Sequence, residues 1–109
     1  MTLDTARIDE TRDLLGAEVF AKLLARLEDE MDSFIAWQSE APASSINEIA
    51  LKSHTLASSA GLYGARDLRA ALLAAERAAN SNDADALSKV TGNLAEIWDQ
   101  TKLGFRGLV

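Results

Sequence analysis

The residues with the greatest capacity for chemistry lie between Ser53 and Ala65, a run that sets the chain's one histidine, His54, among small side chains. With a single His and no Cys, there is no Cys–His pairing, no thiol chemistry, no disulfide and no zinc cluster of the usual kinds. A Gly-rich loop followed by Lys and Ser/Thr is missing, as are kinase motifs, so ATP is not expected as a direct donor. Carboxylates are numerous, but their spacing is that of helix-surface charges rather than of an acid–base pair. The imidazole is therefore the group to place.

Around it, Ile46, Ile49, Ala50, Ser53, Leu56, Ala57 and Ala60 recur at steps of three and four, one apolar stripe of a helix. His54 lies off the centre of that stripe. Its helical neighbours are Leu51, Ala57 and Ser58, with Gly61 one turn further on. The spacing predicts an imidazole on the side of a helix, ringed by residues too small to bury it.

The run His54-Thr55-Leu56, then Ser59-Ala60-Gly61, Gly64-Ala65 and Leu68, resembles the signature of histidine-containing phosphotransfer (HPt) domains, relay modules of bacterial and plant two-component signalling. Two positions depart from that family's pattern: Ala57 stands where it usually has Lys, and Ser58 where it usually has Gly. The resemblance implies a phosphorelay intermediate. His54 would accept a phosphoryl group from a receiver-domain aspartate through Nε2 and pass it to another. A neutral imidazole can attack phosphorus without a metal of its own. The chain would then be a carrier rather than an enzyme and would hold no cofactor; the partner receiver would supply Mg²⁺, its Asp and its Lys. Partners implied are a response-regulator receiver domain and a hybrid sensor histidine kinase. Leu51, Ala57, Ser58 and Gly61 would form the docking collar, with Arg66 or Arg69 as substitutes for the missing Lys charge. The Ser58 hydroxyl is expected to bond back to its own helix. The alternative reading is an HPt-like module that binds a receiver or kinase without taking phosphate. A third, a structural bundle with a chance motif, would bury His54.

The elements that must position His54 follow from periodicity and punctuation. Scarce Gly and Pro (6 and 1) favour an all-α chain. A single domain over residues 1–109 is expected, frayed at 1–8 and 104–109. A short helix runs from Asp9 to Leu15 and ends at Gly16. A long one from Ala17 to about Ser39 buries Phe20, Leu23, Leu24, Leu27, Met31, Phe34 and Ile35. Ala41-Pro42-Ala43 breaks it. Ser45-Ile46-Asn47-Glu48 reads as a capping box for the His54 helix, which ends between Gly61 and Gly64. The next helix, from Ala65 or Arg66 to Ala79, buries Leu68, Leu72, Ala75 and Ala79. Asn82 is the expected N-cap of a last helix over 83–103, which buries Leu87, Val90, Leu94, Ile97 and Trp98. Tyr63, Trp37 and Trp98 are read as packing residues. Four long amphipathic helices with short connections make an antiparallel up-down-up-down four-helix bundle with a short extra N-terminal helix.

The net charge of −6 opposes nucleic-acid binding. It is unevenly spread. Residues 1–43 carry four cationic against ten acidic side chains, residues 44–80 four against three, and the remainder three against four. The His54 region is thus close to neutral, which suits a face approaching an acidic pocket and equally fits an N-terminal third that is simply a solvated acidic helix surface. The longest apolar run, Ala70–Ala75, is far short of a membrane span, and the N-terminus lacks a signal-peptide pattern. A cytoplasmic monomer is the expectation.

Overall fold

The computed structural model describes residues 3–40 and 45–107. They form five α-helices and, among the described residues, no strand: α1 (Thr5–Leu15), α2 (Ala17–Glu40), α3 (Ile46–Leu62), α4 (Arg66–Asn80) and α5 (Ala84–Arg106). The all-α expectation holds, and the periodic stripes became buried faces. On α3, Ile49, Ala50, Ser53, Leu56, Ala57 and Ala60 are buried; on α4, Leu68, Leu72, Ala75, Ala78 and Ala79. The small side chains on both faces let these two helices approach closely, and α3–α4 is the most extensive helix pair, followed by α4–α5. No described helix is long and apolar enough to cross a membrane.

The differences lie at helix ends, where distant contacts override local signals. α1 begins at Thr5 rather than Asp9, because Asp4 caps it by accepting the Arg7 N–H at 3.1 Å. The Asp4 N–H donates to Gly64 O at 2.8 Å, and Leu3 makes an isolated bridge with Ala65. Residues 3–8 are therefore not frayed but tied to the α3–α4 turn. Likewise α5 continues past Gly104 to Arg106, because Phe105 is buried. Residues 1–2, 108–109 and the expected Ala41-Pro42-Ala43 break lie outside the described residues.

Two expected caps are corrected. Ser45 occupies the N-cap of α3 but makes no side-chain cap bond, since its ψ of 9° departs from the extended conformation that directs a cap side chain at the first amides. Glu48 instead lies 3.9 Å from Lys52. Asp83, not Asn82, caps α5, accepting the Ala86 N–H at 3.0 Å. Asn82 takes the left-handed φ of 53° that the preceding turn demands and that Asn tolerates.

The core is one cluster. Phe20 of α2, Tyr63 of the α3–α4 turn, and Phe105 and Trp98 of α5 form an edge-to-face ladder with centroids 5.5, 6.5 and 6.4 Å apart. The core of α5 is shifted toward its C-terminal half: Leu94, Trp98, Thr101 and Phe105 are buried, whereas Leu87, Val90 and Ile97 are half-buried. On α2, Leu23 is exposed. Asp32 of α2 is not simply solvated: it accepts from Trp98 Nε1 at 2.8 Å and Lys102 Nζ at 2.9 Å, joining α2 to α5.

Candidate functional site

α3 carries His54 on its exposed side, one residue beyond the buried Ser53. The packing of α3 on α4 brings Glu76 beside it, with His54 Nδ1 2.9 Å from Glu76 Oε2. An ionised carboxylate can only accept, so its approach favours the tautomer with the proton on Nδ1. In the neutral ring Nε2 then keeps its lone pair. The His54 side chain is 61% exposed and that of Glu76 22%, so the ring is anchored on its helix-facing nitrogen and open to solvent elsewhere. A buried His54, as a purely structural reading requires, is not what the structure holds.

The collar residues fall into two groups. Leu51, 67% exposed, the exposed Ser58 and the half-buried Gly61 lie along α3 with His54. Ala57 is a correction: at 1% exposed it faces α3's buried side and lies beneath the site, with no surface to offer a partner. Its place on the 53–56–57–60 stripe is the reason. Ser58 Oγ donates to His54 O at 3.3 Å, the expected back-bond within the helix. Arg66 is held by Asp4 at 3.0 Å, and neither Arg66 nor Arg69 bonds to His54; both border a separate recess with Ser58 and Gly61.

Between α2 and α3 lies a groove of about 650 Å³ whose lining includes Phe34, Trp37, Leu51 and Leu56 together with Asp29, Glu30 and Lys52. Trp37 packs against the core as expected but also lines this groove, with Lys52 Nζ 5.2 Å from its ring centre. Tyr63 is buried in the core, as read from the sequence.

The turn below the site depends on Gly64. Its φ is +64°, and a Cβ there would lie 2.6 Å from Asp4 O. Thr11 Oγ1 donates to Leu62 O at 2.8 Å, satisfying a carbonyl at the end of α3. α1, through its N-cap residue and Thr11, thus fixes where α3 stops.

Glu76 is the residue that sequence reasoning missed. It was counted among surface charges, yet it sits beside the buried Ala75 and one turn from Leu72 and Ala79. A carboxylate bordering an otherwise Ala- and Leu-rich stripe was the available signal. Comparison with family models, curated proteins and solved structures returns no match.

Proposed function

We propose that this chain is a phosphoryl carrier of the HPt type, taking a phosphoryl group onto His54 Nε2 from a receiver-domain aspartyl phosphate and passing it to another aspartate. The observation that carries this reading is the approach of the Glu76 carboxylate to 2.9 Å from His54 Nδ1 on a ring that is otherwise open. In the forward step the Nε2 lone pair attacks phosphorus, the N–P bond forms, and the P–O bond to the aspartyl carboxyl breaks to release a carboxylate. The Nδ1 proton stays in place, and the positive charge that develops on the ring faces the Glu76 carboxylate. Transfer onward is the reverse sequence at a second aspartate. Mg²⁺ belongs to the receiver in this scheme, and the chain contributes nucleophile, orientation and docking face.

The reading carries the finer architecture with it: an antiparallel up-down-up-down bundle of α2 to α5, with α1 as the added helix, in the cytoplasm. Its support is the short 63–65 and 81–83 connections between helices that pack extensively together, α3 on α4 and α4 on α5. A second reading, a module that binds a receiver or kinase without taking phosphate, is favoured by the apolar groove of Trp37 and Leu51 beside the imidazole.

The separating experiment charges a panel of Mg²⁺-loaded receiver domains with acetyl phosphate and follows label onto this chain and onto His54→Gln. Acid-labile label on the wild type and none on the variant is expected. Binding without label from any receiver would favour the module instead.

A further inference from the structure

At the junction of α1, the end of α3 and the start of α4 lies a recess of about 450 Å³ bordered by Arg7, Arg66, Arg69, Ser58 and Gly61. Its lining sets three guanidinium groups against the one carboxylate of Asp4, within a chain whose net charge is −6. That carboxylate is already engaged, Oδ1 with the Arg7 N–H at 3.1 Å and Oδ2 with Arg66 at 3.0 Å. Arg7 has a loose pair, 3.7 Å from the exposed Glu10. The Arg69 guanidinium forms no hydrogen bond or ion pair with any described residue. Its stem lies along α3 so closely that a Cβ on Gly61 would be 3.2 Å from Cδ and 3.4 Å from Nε. Gly is a poor helix former, and at this point of α3 its missing side chain is what lets Arg69 lie flat beside Ser58.

We propose that this recess is an oxyanion-binding site, taking a phosphate or carboxylate group brought up beside His54. An unpaired guanidinium at the edge of the recess matches two oxygens of such a group with its planar fork, and two further guanidiniums add charge from α1 and α4. Ser58 links the recess to the imidazole, because it borders the recess and lies one helical turn from His54. Anion binding stands independently of phosphoryl transfer; its use in steering an acidic partner onto His54 rests on the carrier reading.

The test is a titration of the full chain, followed by amide NMR at constant ionic strength, with sodium pyrophosphate and separately with a tetraglutamate peptide. Saturable shifts confined to the neighbourhood of Ser58, Gly61 and Arg69 are expected, unchanged in His54→Gln and weakened about tenfold in Arg69→Gln. Gly61→Ala, which favours the helix while pushing the Arg69 stem away, is expected to weaken binding with helicity intact by circular dichroism. Shifts with pyrophosphate alone identify a phosphate compound as the source, and shifts with the peptide identify acidic side chains; either supports the site. No saturable shift with either probe, equal affinity in Arg69→Gln, or shifts spread equally over Lys22, Lys89 and Arg106 would overturn it. Such a failure leaves the His54 labelling experiment unaffected, and failure of labelling leaves this titration standing.

Discussion

In the proposed carrier His54 attacks through Nε2, and a carboxylate 2.9 Å from Nδ1 favours the tautomer in which Nε2 carries the lone pair. Glu76→Ala leaves the ring free to rotate and to exchange tautomers, and labelling from a charged receiver is expected to slow by roughly 10- to 100-fold, the scale seen when an orienting partner is removed. Glu76→Gln keeps a carbonyl acceptor for the Nδ1 proton and should recover much of that rate, while ¹⁵N shifts of the ring report the tautomer directly. A purely structural Glu76 would leave rate and ring shifts alike in both variants. Next to the site, Ser53 is fully buried and its Oγ has no hydrogen-bond partner. Ser53→Ala removes an unsatisfied polar atom with almost no change in volume, so the midpoint of urea unfolding should rise by an amount equivalent to about 1 kcal/mol.

At the scale of elements, what was legible in the sequence is what is local. The stripe Ile49 to Ala60 and the face Leu68 to Ala79 follow from periodicities of three and four, and both are buried as expected. Contacts across the chain were not legible. Glu76 meets His54 from another helix, and Asp4 reaches Gly64 and Arg66 from more than fifty residues away. The same cause misplaced the start of α1 and the end of α5, since Leu3 and Phe105 are ordered by partners that no local window contains. Ala57 was misread because a three-residue step from His54 can lead toward the core as well as along the surface. The α3–α4 turn offers a direct check. Gly64→Ala imposes a left-handed conformation on a residue with a Cβ and drives that atom into Asp4 O, so a loss of about 2 kcal/mol is expected in denaturant unfolding. The α2–α5 link offers another. Hydrogen bonding from Trp98, then from Lys102, holds the Asp32 carboxyl below its ordinary range. Its contribution is therefore present above the unfolded value and is lost as pH falls through the lower folded one. Asp32→Asn should be less stable than wild type near neutrality and show a flatter acid limb in unfolding midpoints measured down to low pH.

Over the whole molecule, charge and packing are arranged around the α3–α4 pair. The groove lined by Asp29 and Glu30 borders α3 at Leu51 and Leu56, and the arginine recess borders it further along at Ser58 and Gly61, so the surface potential changes along this helix. Tyr63 stands at the centre of the packing, its ring between Phe20 and Phe105, joining α2, the α3–α4 turn and α5. Burial pushes its phenol above the ordinary value of 10.0, and the Glu30 carboxylate pushes in the same direction. The unfolded chain therefore releases this proton first as pH rises. Below the unfolded value the contribution is constant; between the unfolded and folded values stability falls, by at most about 1.4 kcal/mol per pH unit for one group. Tyr63→Phe keeps the ring and removes the ionisation, so its unfolding midpoint should decline less steeply than that of the wild type above pH 10, with the lysine contributions common to both. Because Tyr63 is the chain's single tyrosine, the difference in absorbance near 295 nm between wild type and variant follows its ionisation alone. A phenol that titrates at its ordinary value in the folded chain, with identical alkaline limbs for the two proteins, would mean that the three elements are not closed around Tyr63.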